Sequence, residues 1–283
     1  MTKHGTEKRL TRHTELRWFI TLGALGWALS AGGCVSPRDA DLDMRLLAVD
    51  PSPSATETTA KGAPSKATAG AAAPNPTRSF KSYTDNDIKR ILGNVPGDGT
   101  TLAMIITTAS GTINCQLDRE RAPQSVTNLV GLATAQVGWT DPDGGGKRRS
   151  PFYKGLPFHR IVQNFLIQTG NPAVTNARGP AWRSKGPGWV IAREQAGDVH
   201  YDKPGAIGLV DAGDDSHGSQ FFITTKRATH LKNKYAAIGF CENLDVVTRI
   251  ANAPKLNPDK EKPTRPKTPV RIEQLEIRWI TAP

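Results

Sequence analysis

Fifteen consecutive residues, Phe158 to Pro172, bring together the Arg160 guanidinium, the His159 imidazole, the Gln168 carboxamide and the rings of Phe158 and Phe165. A second run, Gly208 to Thr224, adds Val210, Asp211, His217, Ser219 and Phe222. A guanidinium acts through a rigid fork of hydrogen-bond donors and stabilises charge without a covalent intermediate. An isolated Arg on a strand is more often an ion-pair partner at the surface, so its neighbours must decide its reading. Other chemistries fit the sequence poorly. His217 and His230 are not spaced with carboxylates or cysteines as metal ligands are, and no Cys-x-x-Cys pair offers a zinc site, so neither a metal nor a cofactor is expected. Ser219 follows His217 by two residues but lacks a G-x-S-x-G elbow. Asp143-Gly144-Gly145-Gly146 lies in no strand-to-helix setting and reads as a surface loop.

The elements that must position these groups begin near Thr100. Thr101 to Ala109 and Thr112 to Leu117 are rich in β-formers around Ser110-Gly111, which predicts a hairpin. Pro123 then opens a helix whose Val126, Leu129, Val130 and Ala133 form one apolar stripe. Short strands are predicted over Leu156 to Val162, Phe165 to Gln168, Ala206 to Val210, Gln220 to Thr225, Tyr235 to Cys241 and Val270 to Ile280. A second helix carries Leu244, Val247, Ile250 and Ala251 and stops before Pro254. Eight strands and two helices read as a mainly β fold, a closed eight-stranded antiparallel barrel capped by the helices. No period of 20 to 50 residues repeats, which excludes a solenoid.

The run Phe158-His159-Arg160-Ile161-Val162-Gln163-Asn164-Phe165-Leu166-Ile167-Gln168-Thr169-Gly170-Asn171-Pro172 resembles the signature of the cyclophilin family of peptidyl-prolyl isomerases, and Gly208 to Thr224 resembles the family's other diagnostic segment. The similarity extends over residues 101 to 280 and says nothing about residues 1 to 99. It implies cis/trans isomerisation of X-Pro bonds, with Arg160 in the catalytic position, Phe165 and Gln168 beside it, and His159 as an orienting or structural group. It further implies a proline pocket of Phe165, Leu166, Phe222 and Leu231, with Val210, Asp211, His230 and Tyr235 in the substrate groove. Such rotation needs no proton transfer. It must overcome a barrier of about 18 to 20 kcal/mol set by amide resonance, and a guanidinium beside the prolyl nitrogen or the swinging carbonyl lowers it. In a straight strand Phe165 and Gln168 would point to opposite faces, so a bulge or twist is required for them to share a site.

Several positions depart from the family pattern. Val210 stands where a small Ala is usual, and Asp211 where Asn is common. His230 replaces a Trp that animal members use in strong cyclosporin binding, and Tyr235 replaces a pocket His. Thr169-Gly170-Asn171 departs from the usual G-G-D, and Thr169 would be strained if φ there had to be positive. A rival reading follows from these changes: a proline-peptide-binding module or envelope scaffold that uses the groove without turnover.

The N-terminal third reads differently. The chain has 283 residues, of which 37% are apolar and 6% aromatic, with 27 Gly and 21 Pro, so part of it is expected to be linker. Residues 1 to 33 combine a basic stretch, an uncharged apolar run from Trp18 and small residues before Cys34, the pattern of an export signal with a lipobox-like end. A lipidated Cys34, a plain cleaved signal or an uncleaved anchor all place the rest of the chain outside the cytoplasm, and the first, a lipoprotein facing the periplasm, is the expectation. Residues 34 to 79, scattered with Pro, Ala, Thr and Ser, read as a disordered tether with a reach of about 35 Å. Residues 80 to 99 read as a lead-in with a short helix capped by Thr84, and residues 100 to 283 as the isomerase domain. Loss of residues 1 to 33 would lower the formal charge from +11 to +8, because it removes five basic and two acidic side chains. The remaining basic concentrations, Gly146 to Arg149 and Lys255 to Arg271, lack interleaved aromatics, so no nucleic acid is expected. The expected partners are proline-containing polypeptides and a lipid bilayer reached through the N-terminal anchor, and the expected state is a monomer. Cys115 and Cys241 fall on predicted strands; a disulfide between them would close a loop of about 125 residues, and two buried free thiols are the alternative.

Overall fold

The computed structural model describes residues 79–142, 144–175, 186–194, 199–213, 215–256 and 265–281. The export signal, Cys34 and nearly all of the tether lie outside the described residues. Among the described residues there are three α-helices. The first, α1 (Asp85–Gly93), starts with a capping box: the Thr84 hydroxyl accepts from the Asp87 N–H, and the Asp87 side chain returns the bond to the Thr84 N–H. It buries Ile91 and Leu92. Beyond it come β1 (Thr101–Thr108) and β2 (Gly111–Leu117), and then α2 (Pro123–Ala133).

Pro123 begins α2 as expected, but this helix is buried from Ser125 to Ala133 rather than along one stripe. The reason is that α1 covers its outer side: Ile91 lies against Gly131, and the Tyr83 hydroxyl donates to Asn128 Oδ1 at 2.9 Å. Ala122 cannot cap this helix. The Glu194 carboxylate does so instead, accepting from the Gln124 and Ser125 N–H groups at 2.9 and 2.7 Å.

The remaining strands are β3 (Trp139–Thr140), β4 (Lys147–Arg148), β5 (Arg160–Val162), β6 (Leu166–Thr169), β7 (Ile191–Ala192), β8 (Ala206–Asp211), β9 (Ser216–Thr224), β10 (Ala237–Cys241) and, after α3 (Leu244–Ala251), β11 (Gln274–Ile280). β3 and β4 form their own hairpin. The other nine make one antiparallel sheet in the order β11-β1-β2-β10-β8-β9-β6-β5, with β7 joined to β9.

This corrects the expectation of a closed eight-stranded barrel with two helices. The fold is mainly β, as expected, but the strand path of its sheet has two ends, β11 and β5. The ends meet through an isolated Pro157–Arg271 bridge and the Phe158 N–H to Val270 carbonyl bond rather than through a continuous ladder. Pro157 has no N–H to donate, and Pro266 and Pro269 interrupt the opposing segment, so pairing there stops after a few bonds.

The sheet separates two apolar groups. Ile161, Ile167, Ile207, Leu209, Phe221, Ile223 and Ile238 belong to the main core with α2 and α3, whereas Leu166, Ala206, Val210, Phe222 and Ala237 form a second, smaller cluster. The alternation of side chains along β6, β8 and β9 produces this division. Cys115 and Cys241 are directly paired on β2 and β10 and are joined by a disulfide.

Candidate active site

The ladder registers place the key side chains in one transverse row. Arg160 pairs with Gln168 across β5 and β6, Gln168 with Phe222 across β6 and β9, and Phe222 with Gly208 across β9 and β8. Directly opposed residues share a face, so the guanidinium, carboxamide and phenyl ring leave the sheet on the same side. Gly208 ends the row as a necessary gap. A Cβ there would come within 2.1 Å of Phe222 Cζ and 2.4 Å of the Tyr201 hydroxyl, so only Gly lets the Phe222 ring lie across β8.

Phe165 reaches this face because it is not part of the strand. Val162 and Leu166 are paired, which leaves Gln163 to Phe165 as a three-residue hairpin loop with Asn164 at φ 57°. Asn tolerates that left-handed conformation better than most residues do. The Phe165 N–H donates to the Val162 carbonyl at 3.1 Å, and the Phe165 carbonyl accepts from the Thr225 N–H at 2.8 Å. The alternation problem is therefore solved by a turn rather than by a bulge.

Phe165, Leu166, Val210, Phe222 and Leu231 all lie in the smaller cluster, with Tyr235 packed partly buried against it. Tyr235 meets Phe222 edge-on at 5.7 Å, and His230 stacks on Phe165 at 5.5 Å. Leu231 is held in a 3-10 turn, Thr229–Leu231. Four members were not anticipated from sequence: Tyr201, stacked on Phe222 at 6.4 Å, and the small residues Ala206, Ala228 and Ala237. Asp211 sits at the end of β8, where its Oδ1 accepts from the Gly213 N–H at 2.7 Å, so its carboxylate caps the β8–β9 turn.

Arg160 is 1% exposed and Gln168 4%, so both polar heads sit where water screens little. Gln168 Nε2 donates to Gln220 Oε1 at 3.0 Å. Sequence reasoning also missed Gln220, although it lies two residues before Phe222 and so on the same face of β9. His159 is fully buried. Burial first, and the neighbouring Arg160 charge second, hold its pKa down at about 3, outweighing the Pro157 backbone and the Gln220 side chain, which favour the protonated ring. The imidazole is therefore neutral at physiological pH and does not change its protonation state there.

Thr169 does not need a positive φ. It is an ordinary strand residue, buried on the core side, and its hydroxyl donates to the Pro157 carbonyl at 3.0 Å. The positive φ, 89°, belongs to Gly170, where a Cβ would come within 2.3 Å of the Ser219 carbonyl oxygen. The site thus offers a shielded guanidinium, a carboxamide next to it and a cluster of aromatic and aliphatic side chains on the same face. Such a surface can hold an apolar ring and polarise an adjacent amide; among the described residues it contains no cluster of metal ligands.

Residues 103–277 match the family model described as cyclophilin type peptidyl-prolyl cis-trans isomerase/CLD. Peptidyl-prolyl cis-trans isomerase A of Mycobacterium tuberculosis is 34% identical over 180 residues, covering 62% of this chain and 92% of that protein. Peptidyl-prolyl cis-trans isomerase B of Streptomyces anulatus is 31% identical over 170 residues, covering 60% of this chain and 93% of its own length. Among solved structures, a cyclophilin type peptidyl-prolyl cis-trans isomerase of Cryptosporidium parvum aligns with a TM-score of 0.50 at 22% identity, covering 65% of this chain and all of that one, a likeness of fold. With its row of Arg160, Gln168 and Phe222 inside the matched region, the chain belongs to the cyclophilin-type peptidyl-prolyl cis-trans isomerase family and is an isomerase of that type.

Proposed function

We propose that this isomerase turns X-Pro bonds in proteins of the bacterial cell envelope and assists their folding, as a monomer held to a membrane through a lipidated Cys34. In this reading the ring of the substrate proline packs against the cluster of Phe165, Leu166, Phe222 and Leu231. Gln168 holds the substrate backbone, with Gln220 fixing its orientation. Arg160 is the catalytic residue: its guanidinium donates to the prolyl nitrogen or to the rotating carbonyl as amide resonance is lost. His159 is a positioning residue that remains neutral and packs beside Arg160.

The observation that carries the catalytic part is the alignment of Arg160, Gln168 and Phe222 in one row on one face. For the location, the support is the basic and apolar leader ending at Cys34, together with a disulfide compatible with an oxidising compartment. A protease-coupled assay on a short X-Pro peptide tests the chemistry; wild type should accelerate isomerisation and Arg160→Ala should not. If both bind the peptide and accelerate equally little, the groove is only a binding module. Mass spectrometry of the mature N-terminus tests the anchor, and an unmodified first residue other than Cys34 would remove the lipoprotein reading. Refolding of a proline-limited envelope protein, with and without the enzyme, tests the folding role.

A further inference from the structure

The chain after α3 returns to the catalytic end of the sheet and brings charge with it. Arg271 bridges Pro157, and the Phe158 N–H donates to the Val270 carbonyl at 2.9 Å. Pro157 and Phe158 lie three and two residues before Arg160, so this contact is made at the Arg160 end of β5. At this junction lies a cavity of about 140 Å³ whose walls include Pro157, Phe158, Leu256, Arg265, Lys267 and Arg271.

The backbone of this wall is fixed while its charged ends are exposed. The Arg265 carbonyl accepts from the Leu256 N–H at 2.9 Å, and the Lys267 N–H donates to the Pro254 carbonyl at 2.6 Å. Arg271 Nη1 donates to the Gly155 carbonyl at 3.0 Å. Among the described residues no carboxylate pairs with any of the three cations. Arg265 also lies close enough to the active site for its charge, after burial and Arg160, to oppose protonation of His159. Leu256, half exposed at the rim, offers an apolar surface to an aliphatic stem.

We propose that this cavity is a subsite for an acidic side chain of the polypeptide substrate, a few residues from the X-Pro bond being turned. The inference rests on isomerisation at Arg160 and adds a charge preference to it. Three cations around one depression create a positive potential at the Arg160 end of the groove. A Glu or Asp there gains Coulomb attraction, while its stem covers Leu256.

The test uses matched peptides with a central Ala-Pro and a Glu, Gln or Lys placed two to four residues to either side. At low salt, kcat/KM for the best Glu peptide should exceed that of its Gln counterpart by about three- to fivefold, the range of a few partly exposed ion pairs, and Lys should be poorest. The gap should shrink at high salt, where screening shortens to about 3 Å near 1 M. Arg265→Gln combined with Lys267→Gln, which leaves only Arg271, should remove most of it and leave turnover of the Gln peptide at the wild-type level. Equal rates for Glu and Gln peptides at every position, or a gap that survives undiminished in the double variant, would overturn the subsite. Calorimetric titration of the same peptides reads the preference without turnover. Selective binding of Glu peptides with no acceleration of any peptide would keep the subsite and sink the isomerase reading instead.

Discussion

Arg160 and Gln168 stand opposite one another across the β5–β6 ladder, so a cation and a carboxamide leave the sheet side by side on one face. Their geometry depends on strand pairing rather than on loop conformation, which makes their substitution a clean test. Arg160→Ala should reduce kcat/KM by about 10² to 10³, the usual effect of removing one preorganised donor, with unchanged circular dichroism. Arg160→Lys should recover little of this loss, because an ammonium cannot reproduce the planar fork.

Gly208 predicts a second outcome. A methyl group at this position meets Phe222 Cζ at 2.1 Å and the Tyr201 hydroxyl at 2.4 Å. Gly208→Ala should therefore displace the Phe222 ring, destabilise the fold by about 1 to 3 kcal/mol as overpacking does, and raise KM. Urea denaturation and steady-state kinetics on the same preparation would read both effects.

The buried histidines set a dependence on acid. His159 is held at a pKa of about 3, and burial, followed by the nearby Arg193 charge, holds His217 at about 4. Both folded values lie below the ordinary value of 6.5, so the unfolded chain takes up protons that the folded chain refuses. Stability should be full above pH 6.5 and fall as the pH drops towards 4, each histidine contributing a slope of at most about 1.4 kcal/mol per pH unit. His159→Gln should make the fall shallower in urea titrations at a series of pH values. Neither His159 nor His217 should contribute a step to kcat/KM as the pH is lowered from about 8 to about 5, because both rings stay neutral there, and profiles of His159→Gln and His217→Gln should keep the wild-type shape.

Reduction of the Cys115–Cys241 bond offers a fourth test. The two residues are 126 apart in sequence, so the bond restricts a long loop of the unfolded chain. Cys115→Ser with Cys241→Ser should lower stability by about 2 to 5 kcal/mol. Wild type in a reducing buffer should show a similar fall in melting temperature. Turnover at 25 °C should hardly change, because the bond joins β2 to β10 and the catalytic row runs from β5 to β8.

Much of this architecture was legible where one physical signal dominated. Pro123 and the apolar spacing after it marked α2, Thr84 marked α1, and the β-formers either side of Ser110-Gly111 marked the first hairpin. The signal failed where tertiary contacts decide. Ser216 to Ser219 is polar in sequence, yet it extends β9, because β8 and β7 pair with it. Leu156 to His159 has strand-like residues but lies outside β5, with Pro157 among them. Within the site, the two motifs identified Arg160, Phe165, Gln168 and Phe222. Gln220 and Tyr201 carry no local signature; their place depends on partners 52 and 21 residues away in sequence, Gln168 and Phe222. Thr169 looked strained by analogy, whereas the turn places the left-handed residue one position later.

The lead-in to β1 sets the point at which the chain can be shortened. The region matched to the family begins at residue 103, but Phe80 bridges Val190, Tyr83 reaches Asn128, and the Trp279 indole donates to the Leu92 carbonyl at 3.1 Å. An expression clone starting at Thr101 would strip α1 from α2, open the space filled by Ile91 and leave Trp279 at the end of the sheet without its acceptor. A catalytic fragment of this enzyme should therefore begin no later than Ser79, six residues before α1 and well ahead of the residues by which its family is identified.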